Sequence, residues 1–357
     1  MTTRFEFVPR IAFGRQPWDE FVDLSDDAWL WHRFDFQDVI STWPGRRDLS
    51  FAILDTAEKG ECVCLVPLQL SANRLAGLLP WTSLESLGGL AYLAGLAEGR
   101  RKKLIDATSA FLVTLARRNG AAEITLAIAP LTPSLRGESL PRVNPLLTLG
   151  CENSLTQTWL VDLRTEEERL WARLEGRART EIRKAERAGV VVRNADQLGD
   201  LDAYYELHRA TCVRTGINPH PREYFEASWQ SLVATQLAHV LLAERDGVVV
   251  AAANFAVYKK GALYWTGAAA ETGLEFGANA LLQWRAIQWM LTQGVEWYET
   301  GEAFPNLKEG KLKQLSDFKK SFGGALYPYY RGRLVVKPRV SAFLQFARAL
   351  LRSGRRL

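Results

Sequence analysis

HVLLAERDGVVVAAANFAVYKKGALYWTGAA, residues 239–269, reads as a hairpin and a further strand: runs of Val, Leu, Ala, Phe and Tyr of strand length are broken at Asp246-Gly247 and at Lys259-Lys260-Gly261. A helical stretch from about Gly277 to Gln293 follows, then Gly294 as a stop, then VEWYETG, residues 295–301, as a strand. The same order occurs upstream. FAILDTAEKGECVCLVPLQL from Phe51 gives a hairpin, a loop leads to Leu87–Tyr92, a helix is expected near Arg100–Arg118, and Asn119-Gly120 precedes the strand AEITLAIA. Gly60 matches Gly247 and Gly120 matches Gly294, offsets that one loop of about a dozen residues reconciles. The pattern implies duplication of one α/β domain.

The bulk composition agrees. A chain of 357 residues that is 47% hydrophobic and 11% aromatic has material for two cores. No stretch reaches the roughly 18 uninterrupted apolar residues of a spanning helix, and Met-Thr-Thr-Arg-Phe-Glu-Phe has no leader pattern, so the expected location is the cytoplasm. Cys62, Cys64, Cys151 and Cys212 lack paired ligand spacing, and His32, His208, His220 and His239 form no metal motif. Cys62 and Cys64 share a strand face, where packing is the expected role. Neither a G-x-S-x-G elbow nor a phosphate loop of the G-x-x-x-x-G-K-[ST] type occurs. A metal enzyme, the common hydrolases and P-loop enzymes lose their support.

Between the copies, Leu163–Gly189 reads as one helix, with Thr165 and Glu168 at capping-box spacing and Glu175 placed to pair with Arg179. Two or three of its cations, from Arg179, Arg183 and Lys184, suit phosphate. The last forty residues hold ten Lys or Arg and no acid, which leaves 35 basic against 40 acidic residues before them. That split points to an anionic partner at the C-terminal end, and the apolar content argues against a purely solubilising tail. Val340–Leu357 has Phe343, Phe346 or Ala347, Leu350 and Leu351 at helical spacing among Arg348, Arg352, Arg355 and Arg356. Such a helix suits an anionic bilayer, or packing on the protein, equally well.

Five landmarks in order, EIRKAERAGVVV (181–192), RTGINPHPREYF (214–225), ERDGVVVAAANF (244–255), YWTGAAAETGLEFGANALLQWRAI (264–287) and DFKKSFGG (317–324), resemble the FemAB-type branch of the GNAT-like N-acyltransferases. The likeness covers roughly residues 165–330. It implies an α/β (α+β) protein of tandem duplicated GNAT-like domains, each a mixed, mostly antiparallel sheet flanked by helices. On that basis residues 1–160 form the first, acceptor-side domain, 161–335 the second, donor-side domain, and 336–357 a basic amphipathic helix. The resemblance further implies transfer of an aminoacyl or acyl group to an amine of a cell-envelope precursor or specialised metabolite, without a metal or a tightly bound cofactor. Family members resembled here include aminoacyltransferases that build peptidoglycan cross-bridges, and the co-substrate is either aminoacyl-tRNA or acyl-CoA.

The donor is read from two places. GNAT domains that bind CoA present [QR]-x-x-G-x-[GA] between strand and helix; Glu271–Ala280 lacks that spacing and carries Glu275 near the helix start, where carboxylates repel a diphosphate. Aminoacyl-tRNA suits the basic end better, with Phe318, Phe322, Tyr327, Tyr329 and Tyr330 available to stack on a single-stranded acceptor end. By residue match to the F-K-x-x-[FW]-G motif, Phe318 and Lys319 face the ester. Transfer then needs an oriented amine, a stabilised oxyanion and one proton moved. Lys319 is the first candidate for the oxyanion, with Lys320, Phe322 and Asn279 as further donor contacts. Glu299 stands where relatives carry Asp and is a candidate base, as are Tyr264 and Tyr298, which position the nucleophile or relay its proton. His220, in Asn-Pro-His-Pro, is either a base or a packing residue. The alternatives are an acyl-CoA-dependent N-acyltransferase of exopolysaccharide or surface-polymer assembly and a non-catalytic RNA- or membrane-bound scaffold. The partners to expect are a tRNA or CoA thioester donor, an amine acceptor that is lipid-linked in the membrane reading, and the inner face of the membrane.

Overall fold

The computed structural model describes residues 4–75, 79–197 and 199–354. Met1–Thr3 and Arg355–Leu357, which enter the readings of the two ends above, lie outside the described residues. The chain divides into two compact units, one made of the residues up to Leu155 together with those from Tyr329 onward, the other of Thr156–Pro328. The expected boundaries at 160 and 335 thus differ from the observed ones in the end of the chain, which returns to the first unit.

In the first unit, strands Phe5–Pro9, Phe51–Asp55, Glu61–Val66 and Ala91–Tyr92 form an antiparallel sheet in that order. A second sheet pairs Arg46–Asp48, Gln69–Leu75 and Leu79–Ser86 antiparallel, and sets Leu79–Ser86 parallel to Glu123–Ile128 through Ser83↔Glu123. Helix Glu98–Arg118 makes that crossover. From Tyr330 on, strand Ala325–Val335 pairs antiparallel with Glu123–Ile128. The loop expected after the first hairpin is instead the hairpin Gln69–Leu75 and Leu79–Ser86, because Pro67, without an N–H, ends one strand and the chain resumes in the other sheet. Phe51, Ile53, Val63, Leu84, Leu112 and Ile124 are among the side chains of this unit's core. Cys64 lies within it, and burial raises the thiol of Cys62 to about 12, so both behave as small apolar residues.

In the second unit the sheet order is Val191–Asn194, Ala238–Arg245, Val248–Tyr258, Gly261–Ala269, Trp297–Ala303 and Thr156–Asp162. All neighbours are antiparallel except Gly261–Ala269 with Trp297–Ala303, which helix Ala278–Thr292 connects. The turn Asp246-Gly247, with both residues at positive φ, closes the hairpin read from the sequence. Phe255, Leu281, Trp284, Ile287 and Tyr298 pack with Ile182 and Phe322 in the core of this unit. The order of the first unit recurs: hairpin, strand, helix, parallel strand.

Three local expectations fail. Leu163–Gly189 is two helices, Glu167–Arg173 and Gly176–Arg187, with Glu175 extended between them and its N–H donating to Ser321 O at 2.9 Å. No side chain caps the first helix, so the Thr165–Glu168 box does not form. Arg179 donates back to the carbonyls of Ala172 and Leu174 rather than pairing with Glu175, which meets Lys320 at 3.2 Å. The basic end is no free tail either. Arg333 meets Glu123 and Glu152 at 3.6 and 2.6 Å, and Lys337 Nζ donates to Gly120 O at 2.7 Å. A count along the sequence cannot see acids contributed by distant strands.

His239 stacks flat on Trp289 at 3.7 Å between ring centroids, and burial pulls its imidazole down to about 4. A histidine held neutral in the fold and free to protonate when unfolded stabilises fully above its ordinary 6.5, and that contribution disappears as pH falls from 6.5 toward 4. His239→Phe should therefore lessen the acid sensitivity of unfolding by about one proton, about 1.4 kcal/mol per pH unit at the steepest. Urea unfolding at pH 7, 5.5 and 4.5 measures it; parallel pH profiles for both proteins would refute it.

Candidate functional site

The ladder between Gly261–Ala269 and Trp297–Ala303 holds for only three pairs, Gly261↔Trp297, Ala262↔Tyr298 and Leu263↔Glu299. On its other side the Trp297–Ala303 strand pairs Leu160 with Glu299 and Trp159 with Gly301, leaving Thr300 as the extra residue of a bulge. Two polar groups are built where the strands part.

The first surrounds Lys319, near the end of helix Lys311–Lys320. Its Nζ donates to Glu302 O at 3.4 Å, and its own carbonyl accepts from Thr300 Oγ1 at 3.2 Å. Gly301 lies directly beneath the side chain. A Cβ there would stand 2.8 Å from Nζ, and the residue's φ of +106° is a second reason for glycine. Burial lowers the Lys319 ammonium from its ordinary value, and the nearby carboxylates of Glu299 and Glu302 oppose that shift. Glu299 is 4% exposed and accepts from Thr158 Oγ1 at 2.7 Å. The arrangement is a cation held in a low-dielectric niche by carboxylates and a backbone carbonyl, its side chain lying in the space that Gly301 leaves by having none.

The second group is Tyr264, Gln283 and Tyr298. Tyr298 is 0% exposed and its hydroxyl donates to Gln283 Oε1. Tyr264 is half-buried, hydrogen-bonds Gln283, and is pushed up to about 12 by burial. Gln283, itself buried on helix Ala278–Thr292, ties one phenol to the other. Sequence reading missed it, because a glutamine inside an amphipathic helix carries no local sign of its partners.

The remaining candidates separate. Phe318 is half-buried with its ring edge-on to Phe322 at 5.1 Å, but Phe322 is 2% exposed and belongs to the core, so it leaves the set of donor contacts. Tyr330 is likewise buried, its hydroxyl donating to Pro141 O, and has no free face for a base. Lys320 is exposed and paired with Glu175, while Tyr298 is too deeply buried to touch a substrate and is a positioning residue at most. Arg179 caps the preceding helix. Arg183 is exposed with its guanidinium 5.5 Å from the Trp171 ring, and Lys184 is exposed beside Glu181 at 4.0 Å. Asn279 is half-buried in the first turn of its helix. His220 packs 4.8 Å from His208, whose Nε2 accepts the His220 N–H at 2.9 Å, and burial lowers its imidazole; the packing role prevails there.

The glycines of Thr272–Ala278 serve packing. A Cβ on Gly273 would meet Val250 O at 2.2 Å, and one on Gly277 would meet Glu181 O at 2.6 Å. Glu271 and Glu275 beside them are exposed.

Residues 172–309 match the family model of the acetyltransferase (GNAT) domain. No curated protein matches the sequence. Among solved structures, FemX is 16% identical with a TM-score of 0.70, over 95% of this chain and 99% of FemX. A tandem GNAT protein from the clavulanic acid biosynthesis pathway is 14% identical with a TM-score of 0.56, over 93% and 98% of the two chains. L-PGS from Bacillus licheniformis is 13% identical with a TM-score of 0.54, over 94% and 96%. These likenesses establish the fold as a mixed α/β arrangement of duplicated GNAT-like domains.

Gly301→Ala should destabilise the protein by about 1–3 kcal/mol through positive φ and the contact with Lys319. It should also raise the titration midpoint of Lys319 as the ammonium is driven toward solvent, which ¹³C-labelled reductive methylation with NMR reads out. An unchanged Lys319 midpoint would contradict the packing described.

Proposed function

We propose that this tandem GNAT-fold chain is an N-acyltransferase that moves an aminoacyl or acyl group to an amine of a cell-envelope precursor or specialised metabolite, with aminoacyl-tRNA as the favoured donor. The observation that carries the reading is Lys319, a half-buried cation over Gly301 at the point where two parallel strands part. The substrate nitrogen attacks the acyl carbon, a C–N bond forms, and the carbonyl pair moves to oxygen beside the Lys319 ammonium. Collapse breaks the C–O bond to the ribose, and the proton lost by nitrogen ends on the ribose hydroxyl. A preorganised charge in a desolvated niche stabilises that oxyanion more than it stabilises the neutral ester.

Tyr264, held by Gln283, remains protonated to about 12 and so serves as a hydrogen-bond donor to the reacting groups rather than as their base. Glu299, with Glu302, keeps Lys319 charged. Phe318 packs beside the ester, and Asn279 orients it.

For the donor, the tight packing of Gly273 and Gly277 and the exposed Glu271 and Glu275 argue against a diphosphate cradle. Exposed Arg183 and Lys184 on helix Gly176–Arg187 offer charge to a nucleic-acid backbone instead. The acetyltransferase domain matched by residues 172–309 favours the second reading, an acyl-CoA donor in surface-polymer assembly. Transfer of labelled amino acid from charged tRNA, set against transfer from labelled acetyl-CoA, separates the two. Failure of both transfers would overturn the reading.

Lys319→Ala should lower kcat about 100-fold while shifting Tm by less than about 3 °C, since half-buried Lys319 is not a core side chain. Because the ammonium is the active form and its pKa is lowered, activity should fall on the alkaline side below the 10.5 of an ordinary lysine. Lys319→Arg should move that limb upward. A large loss of Tm with intact specific activity would make Lys319 structural.

Peripheral contact with anionic lipid belongs to the same proposal. Helix Pro338–Gly354 exposes Phe343 by 52% and Phe346 by 64%, close in sequence to exposed Lys337 and Arg339. Replacing both phenylalanines by serine should weaken binding to phosphatidylglycerol vesicles at least tenfold in flotation assays. Unchanged binding would remove the helix from that role.

A further inference from the structure

The first unit holds a cavity of about 590 Å³, within the roughly 300–1,000 Å³ range of small-molecule sites. Leu90, Ile105, Ile128, Leu146 and Leu149 supply its apolar walls. One wall, the segment Pro141–Leu149, is tied in place from several sides. Asn144 Nδ2 donates to Arg331 O at 2.8 Å and to Asn153 Oδ1 at 2.9 Å, Ser109 Oγ donates to Leu149 O at 2.9 Å, and Tyr330 donates to Pro141 O. These bonds fix the wall at both ends, to strand Ala325–Val335 through Asn144 and Tyr330 and to helix Glu98–Arg118 through Ser109, and the cavity is lined by the wall and the helix together. On the same segment Val143 and Leu147 are exposed, which leaves apolar surface outside the cavity as well.

The helix contributes charges of both signs to the rim. Glu98, Arg101, Lys102 and Asp106 all face the cavity and all are exposed. Lys102 has a carboxylate four residues away in either direction, yet no ion pair joins these side chains among the described residues; Arg101 instead lies 4.3 Å over the ring of Tyr92. Asp27, which also lines the cavity, accepts from Ser134 Oγ at 2.7 Å. Apolar walls under a rim that offers separate positive and negative groups complement a molecule with an apolar chain and a head bearing both charges. A simple anion would meet three carboxylates, and a simple cation two bases.

We infer that this cavity binds a zwitterionic amphiphile, its chain against Ile105, Leu146 and Leu149 and its head between Arg101 or Lys102 and Glu98 or Asp106. The site goes beyond the transfer chemistry proposed for the second unit and does not depend on it.

Titration calorimetry with dodecyl dimethylglycine below its micelle concentration tests this, with octyl dimethylglycine, dodecanoate and dodecyltrimethylammonium as comparisons. One molecule should bind per chain, the twelve-carbon betaine at least fivefold tighter than either singly charged analogue. Affinity should fall about threefold to fourfold for each methylene removed. Thr148→Trp at the exposed rim and Ile105→Trp on the wall should each abolish binding, and Thr148→Trp retains the inference's test if the wall variant fails to fold. Arg101→Gln with Lys102→Gln should reduce the preference over dodecyltrimethylammonium. Phe343→Ser with Phe346→Ser, and Lys319→Ala, should leave binding unchanged. Equal binding of dodecanoate, affinity independent of chain length, or full binding by Thr148→Trp would overturn the inference. Because no transfer is measured, failure here leaves the acyltransferase reading intact, and failure of transfer leaves this site intact.

Discussion

Gly261–Ala269 and Trp297–Ala303 run side by side but share three residue pairs, and the polar groups around Lys319 and Tyr264 stand where they stop. A parallel pair joined by a helical crossover buries its ladder, so early separation leaves backbone and side chains that neighbours must accommodate. Here Trp297–Ala303 carries a bulge at Thr300 in its pairing with Thr156–Asp162, and the next residue, Gly301, takes a φ of +106°. Tyr264 lies one residue past the last pair on one strand, and Gly301 two residues past it on the other. Phenol, bulge and glycine all stand beside one interrupted ladder.

A lysine placed over that glycine faces opposing demands. Removing an ammonium from water disfavours its charge, and only carboxylates and carbonyls close by restore it. Glu299, Glu302 and the Glu302 carbonyl provide this, and Thr158 in turn holds Glu299. The niche is therefore polar but sparsely solvated, the condition under which a fixed charge acts most strongly on a developing one. Phe322, buried in the core just after Lys319, anchors the turn that ends the helix.

The two units share an order of elements and differ in how strictly they follow it. In the second, Val248–Tyr258 is one long strand; in the first, Pro67 divides its counterpart between two sheets. The second unit spends its parting strands on Lys319 and Tyr264. The first carries an apolar cavity along helix Glu98–Arg118, walled by a segment of short turns. The order of elements is common to both units, while the side chains those helices and strands carry differ.

The duplicated order was legible because strand and helix periodicities and stop residues such as Gly60, Gly120, Gly247 and Gly294 are local properties of the chain. The match of DFKKSFGG likewise pointed to Lys319 without any coordinates. Long-range pairing was not legible. The ten cations at the C-terminal end looked unbalanced until Glu123, Glu152 and Glu175 arrived from elsewhere in their units, and the aromatics read as a stacking surface proved partly to be core, since periodicity does not say which side of a strand meets a sheet. Gln283, Thr158 and the space over Gly301 acquire meaning only through neighbours more than a dozen residues away. Sequence alone determined which elements form and in what order, because those follow from each segment's own residues; tertiary structure decided which charges remain available, which phenol meets solvent and where a cavity stays open, because each depends on what the fold brings alongside.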